Sequence, residues 1–198
     1  MAKKKSTFIN MMLSLLTITL VAGFALGFVN DLTIGPIAKA KLERKINALK
    51  LVLPKFDNNP VEELKLVRSE QAKDSIEIYP AFLNSEFVGV AIVGSSEKGF
   101  SGLIKIMVGF EPNGEIKNIV VLDQKETPGL GTKIKDIKFI QQYKTKTPTS
   151  FNLKVMKDGG EVDALTGATI SSRAFSEAVQ MAYDVFVENM DLIKDSEK

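Results

Sequence analysis

The sequence predicts an α+β protein, with an N-terminal transmembrane helix followed by one domain built on a mainly antiparallel sheet and flanking helices. Three observations carry that prediction. Residues 8–29 form an uncharged apolar run of 22 residues. Residues 76–124 break into four short β-prone runs separated by turn residues. After Arg173, apolar residues recur at helical spacing as far as about Ile193.

The first run, "FINMMLSLLTITLVAGFALGFV", would reach ~33 Å as a helix, enough for a hydrocarbon core of ~30 Å. A cleaved secretory leader is the competing reading, because Ala25-Leu26-Gly27 offers small residues at a cleavage spacing. The apolar cores of such leaders run only ~7–15 residues, so a retained anchor is expected. Lys3, Lys4 and Lys5 precede it, whereas Lys39, Lys41, Arg44 and Lys45 follow it. The positive-inside rule acts on short flanks, and long domains cross largely regardless of charge. The expected arrangement is a cytoplasmic tail (1–7), a single-pass anchor (8–29) in a bacterial cytoplasmic (inner) membrane, and an extracytoplasmic domain (30–198) on the periplasmic side.

Within that domain Pro36 suits a helix start, and Leu42, Ile46, Leu49 and Leu53 follow near helical spacing until Pro54. "PKFDNNP" (54–60) reads as a loop. The four β-prone runs are "IEIYPAFL", "FVGVAIVG", "LIKIMVGF" and "EIKNIVVL", with turns at Asn84-Ser85 and Pro112-Asn113-Gly114. In the third, Ile104, Ile106 and Val108 share one face. A short helix near 135–143, a strand near 151–156 and a turn at Gly159-Gly160 are expected next. The last helix, from Arg173, places Phe175, Ala178, Val179, Ala182, Val185 and Phe186 on one face.

Composition removes whole classes of function. The chain has 198 residues with no Cys and no His, so no disulfide, zinc site, iron–sulfur cluster or histidine general base is expected. No metal site and no catalytic residue is predicted. The formal charge of +2 includes the three tail lysines; without them 23 basic side chains face 24 acidic ones, and no nucleic-acid footprint emerges. Redox chemistry in such a chain must come from an organic cofactor.

Two stretches stand out. "DALTGATISS" (163–172) crowds hydroxyls around one glycine just before the last helix. Ser171 or Ser172 would serve as an ordinary N-cap, but capping leaves Thr166, Thr169 and the Gly167-Ala168 pair unexplained. "ETPGLG" (126–131) follows a strand, and Pro128-Gly129 fits the centre of a type II turn. Its glycines also let backbone N–H groups approach a flat ligand closely. Neither the Rossmann nor the P-loop spacing is present.

Taken in order with the membrane segment, "ALKLVLP" (48–54) and "GFSG" (99–102), the two stretches resemble the G subunit of Rnf ion-translocating electron-transport complexes. They are also similar to the homologous C subunit of sodium-pumping NADH:quinone reductase. The resemblance implies an FMN-binding domain in which Thr169 is the acceptor of FMN, joined to the phosphate as a covalent phosphoester. It further implies that Asp163, Thr166, Gly167 and Ala168 belong to the sequence read by a flavin transferase. Glu126, Thr127, Gly129, Leu130 and Gly131 would line the flavin site, and Thr166, Gly167 and Ala168 would also border it. The other membrane subunits of the complex and the lipid bilayer are the implied partners, and electron relay the implied function. Many Rnf-type chains carry histidine where this one has Gln124, a departure that bears on the choice between the two subfamilies and not on the flavin. A membrane-tethered binding module without a cofactor is the alternative of a different class.

Overall fold

The computed structural model describes residues 7–68 and 75–194. The tail lysines Lys3, Lys4 and Lys5 lie outside the described residues. The chain divides into two compact units, residues 1–44 and 45–198.

One helix, α1 (Phe8–Val52), begins in the first unit and ends in the second. Its N-terminal part is one candidate membrane span by length and composition, with a mean hydropathy of 2.2 and no burial within the chain. The hydroxyls of Thr17 and Thr33 donate to carbonyls four residues back, at 2.8 Å each. For Thr17, within the apolar run, that back-bonding satisfies a polar group where lipid would offer no partner. The structure corrects one expectation here. Pro36 does not start a second helix but lies inside α1. Proline lacks only its own N–H and disfavours helix at the preceding residue, a local cost that the flanking helical turns absorb.

In the second unit, β1 (Lys65–Val67), β2 (Ile76–Leu83), β3 (Glu86–Gly99), β4 (Gly102–Phe110) and β5 (Ile116–Asp123) form an antiparallel meander in the order β1-β2-β3-β4-β5. The four β-prone runs became β2 to β5. The three-residue edge strand β1 was not foreseen, being too short to show alternation. Two short turns of helix follow, a 3₁₀ turn (Gly131–Lys135) and α2 (Ile137–Ile140). The strand expected near 151–156 does not form: only Val155 pairs, in one parallel bridge to Val162, and a 3₁₀ turn (Met156–Asp158) follows. The final helix splits into α3 (Thr169–Glu188) and α4 (Met190–Lys194).

Strand alternation sends side chains to both faces of the sheet, and each face has its own cover. Ile78, Ile92, Ile104, Ile106 and Val108 pack with Phe175, Ala178 and Val179 of α3. Tyr79, Ala91, Val93 and Met107 pack with Ala48, Leu49 and Val52 at the end of α1. Both helices press directly on the strands: a side chain at Gly94 would meet the Ala178 backbone, and one at Gly109 the Val52 backbone. The approach at Gly94 fixes the seating of α3, whose N-terminus opens onto the site.

Candidate functional site

α3 begins at Thr169, four residues earlier than the apolar spacing indicated. The two serines expected as caps are therefore inside the helix. Ala168 occupies the N-cap position, and no side chain caps the first turn. An uncapped helix start leaves orphan N–H donors and the positive end of the helix dipole exposed. Ser172 Oγ instead donates to the Ala168 carbonyl and accepts from Leu165 N–H, both at 3.0 Å. The loop before α3 is held at its other end as well. Gln142 Oε1 accepts from Asp163 N–H at 2.7 Å, and Gln142 Nε2 donates to the Asp163 carbonyl at 3.2 Å.

The two stretches singled out in the sequence adopt the same turn. In the first, Leu130 N–H closes onto the Thr127 carbonyl at 3.2 Å with Gly129 at φ +77°. In the second, Ala168 N–H closes onto the Leu165 carbonyl at 2.9 Å with Gly167 at φ +76°. Positive φ at the third residue is the type II signature and explains a glycine in each. The turns face one another, since a Cβ on Gly167 would lie 3.3 Å from Leu130 Cδ2.

Between them lies an open cleft of about 630 Å³, lined by Glu126, Thr127, Leu130, Gly131, Gly167, Ala168 and Thr169 together with Phe100, Lys157, Ile170 and Ser171. Seven of the predicted residues thus meet at one place. Gly129 shapes the turn without lining the cleft, and Thr166 and Asp163 lie outside it. Phe100, Lys157, Ile170 and Ser171 were not named from the sequence. Phe100 had a signal, as a lone aromatic in a two-residue hairpin loop between Gly99 and Gly102. Lys157 had none, because its position depends on the irregular 3₁₀ turn. That turn is clipped to α3 by Arg173, whose Nε and Nη2 donate to Asp158 Oδ2 and Oδ1 at 2.6 and 2.7 Å. The same hydrogen bond holds the Asp158 carboxyl below its ordinary range.

The cleft combines two chemistries. Phe100, Leu130 and Ile170, exposed by 68%, 45% and 46%, offer apolar surface beside it. The lining also includes Lys157 and Thr169, the first residue of the uncapped helix, whose hydroxyl has no hydrogen-bond partner among the described residues. Such a set fits a flat aromatic group that carries a phosphate.

The comparisons with known proteins agree with that chemistry. Residues 99–184 match the FMN-binding domain family, a stretch that contains every residue lining the cleft. The chain is 38% identical over 162 residues to the G subunit of the ion-translocating oxidoreductase complex of Aliivibrio fischeri (76% of this chain, 77% of the relative). It is 30% identical over 185 residues to the G subunit of the Na(+)-translocating ferredoxin:NAD(+) oxidoreductase complex of Acetobacterium woodii (88% and 89%). Among solved structures, the crystal structure of Shewanella oneidensis NqrC matches at 24% identity with a TM-score of 0.45, over 70% of each chain. The chain belongs to the family of G subunits of Rnf-type ion-translocating oxidoreductase complexes.

Proposed function

We propose that this protein is a membrane-anchored flavoprotein subunit that relays electrons through FMN esterified to Thr169 in an Rnf-type complex. The observation that carries the proposal is the setting of Thr169: a hydroxyl without a hydrogen-bond partner among the described residues, on the first residue of an uncapped helix, lining a cleft that Lys157 and apolar side chains also line. A phosphate there would receive backbone N–H groups and the helix dipole without needing a dedicated binding pocket. A covalent link suits a compartment in which a lost cofactor is not readily replaced.

FMN would supply the redox chemistry, and this chain would bind it, orient it and set its dielectric surroundings. Thr169 Oγ would carry the phosphate, with Gly167 and Ala168 the small neighbours that leave it accessible. Glu126, Thr127, Leu130 and Gly131 would border the ring system, and Gly129 would hold their loop in shape. Asp163 and Thr166, both outside the cleft, would present the motif to the flavin transferase. Esterification needs an activated donor, a flavin whose phosphate sits in an anhydride. Thr169 Oγ1 would accept the flavin's phosphoryl group as the anhydride bond breaks, the other half of the anhydride would leave as a phosphate monoester, and the hydroxyl proton would pass to a base of the transferase.

The names of the relatives, together with the apolar α1 segment, support membership of a membrane complex that moves ions. On this reading residues 1–7 are a cytoplasmic tail, 8–29 the anchor in the bilayer, and 30–198 the periplasmic FMN-binding domain. Its partners are the other subunits of the complex. The test is covalent flavin on the full chain, expressed with a flavin transferase. Thr169→Ala should abolish in-gel flavin fluorescence under denaturing conditions, and Thr169→Ser should retain some. Fluorescence that persists in the alanine variant refutes the assignment.

A further inference from the structure

All three glycine-containing segments that carry the family resemblance converge on one buried carboxylate. Glu126 is only 3% exposed, although it also borders the cleft. Its Oε1 accepts from Ser101 N–H at 2.9 Å, within the β3–β4 turn. Its Oε2 accepts from Ser171 Oγ, in the first turn of α3 and two residues from Thr169. Its own N–H donates to Gln124 Oε1 at 2.6 Å, which orients the start of the loop. The space it occupies is cleared by glycines on both sides. A Cβ on Gly99 would lie 2.7 Å from Oε1, and one on Gly131 would lie 2.7 Å from both Oε2 and Ser171 Oγ.

We propose that Glu126 is the positioning residue of the flavin cleft, one carboxylate that locks the 99–102 turn, the 126–131 loop and the first turn of α3 into a single geometry. The three segments are far apart in sequence, and Glu126 bonds to two of them from within the third. Hydrogen bonds to a charged acceptor are the stronger kind, and leaving their donors unmatched in a buried place is costly. Glu126 acts through Ser101 and Ser171, so it fixes where Phe100 and Thr169 stand relative to the Leu130 turn. The consequence for flavin rests on the proposed function; the tie itself does not.

Two readouts on the full chain in detergent separate these. The first is amide hydrogen exchange of protein produced without the transferase. Glu126→Ala should speed exchange of the Ser101 amide, and of the Ser172 amide that bonds the Ala168 carbonyl at the start of α3, by about tenfold or more, while the β3 and β4 amides stay protected. Glu126→Gln should restore most of the protection, since its amide oxygen can accept from Ser101 and its NH₂ can donate to Ser171. The second is visible circular dichroism of covalently loaded protein. Glu126→Ala should change the flavin bands with Thr169 still modified, and Glu126→Gln should lie nearer the wild type. Ser171→Ala, which removes one arm only, gives the same readouts should Glu126→Ala not fold. Wild-type exchange at Ser101 in Glu126→Ala, or at the Ser172 amide in Ser171→Ala, overturns the tie. A missing covalent flavin in the wild type would instead overturn the proposed function and leave the exchange result standing.

Discussion

Two glycines of one loop, two residues apart, should respond to alanine in different ways and for different reasons. At Gly129 a Cβ meets nothing within 4 Å, so the only penalty is the backbone, held at φ +77°. A left-handed conformation costs an L-residue ~1–2 kcal/mol. At Gly131 φ is ordinary, but a Cβ would lie 2.7 Å from Glu126 Oε2, 2.7 Å from Ser171 Oγ and 2.8 Å from Glu126 Cβ. Neither oxygen can swing aside freely, because each is the other's hydrogen-bond partner and Glu126 is also held through Ser101. Breaking one charge-assisted bond costs ~1.5–3 kcal/mol, and the crowding that remains adds ~1–3 kcal/mol. Gly131→Ala should therefore destabilise by about 4 kcal/mol against about 1 kcal/mol for Gly129→Ala. For a protein of this size, ~2–4 °C per kcal/mol translates these into losses of ~8–16 °C and ~2–4 °C in Tm. Thermal melts of the full chain in detergent, followed by circular dichroism, measure both. The cause is checked by a double-mutant cycle: in a Glu126→Ala background the Gly131→Ala penalty should shrink by ~1 kcal/mol or more, because one clashing oxygen is gone. Equal penalties for the two glycines, or strict additivity with Glu126→Ala, would refute the reasoning.

Lys45 Nζ reaches both oxygens of Glu77 at 2.7 Å, and Tyr79 OH donates to the same carboxylate. Burial opposes the charge on Glu77, but the Lys45 and Tyr79 hydrogen bonds outweigh it and hold its pKa below the ordinary 4.5. A carboxyl whose folded pKa is depressed stabilises above the unfolded pKa and loses that contribution as pH falls through the folded value. The Tm gap between wild type and Lys45→Met should accordingly be full at pH ~7 and shrink below pH ~4.5; a gap constant down to pH ~3 contradicts the linkage. For topology, a reporter active only in the cytoplasm should be silent when fused at the C-terminus, and intact mass should retain the apolar segment. A bright C-terminal reporter reverses the orientation, and loss of about the first 25 residues identifies a cleaved leader. As a relay, the flavin-loaded protein should be reduced by dithionite and show negligible turnover with NADH alone; rapid NADH oxidation would make it an enzyme in its own right.

What the sequence revealed of the fold follows from where periodicity is strong. β2 to β5 each carry enough alternation or apolar density to be read singly, and α3 shows its apolar stripe along most of its length. β1 has three residues, and its pairing with β2 is decided by the neighbouring strand rather than by its own pattern. Around 151–156 the β-prone residues do form a buried contact, through Leu153 and Val155, but without a strand partner. Burial with only a single bridge looks the same in sequence as a strand. At Pro36 the local rule for proline was outweighed by the helical residues on both sides, which is how segmental context overrides a single-residue signal.

The start of α3 shows why the site was legible in its members and not in its logic. Capping preference pointed to Ser171 or Ser172, because a hydroxyl before an apolar stripe is the ordinary N-cap. The helix begins earlier because the Gly167 turn delivers the chain into helical geometry at Thr169, and the serines, now within the first turn, are turned to other work. Ser172 ties the turn behind it, and Ser171 reaches Glu126. That leaves the N-terminal donors of the helix without a side-chain partner and leaves the Thr169 hydroxyl beside them without a bond among the described residues. A helix that commits its two serines to loop contacts and takes alanine as its cap has given up roughly 1 kcal/mol of capping. The arrangement is intelligible if a phosphate takes the vacant cap. On that account, covalent loading at Thr169 should stabilise α3 as well as supply the flavin, because one phosphate would meet both the uncapped first turn and the Thr169 hydroxyl.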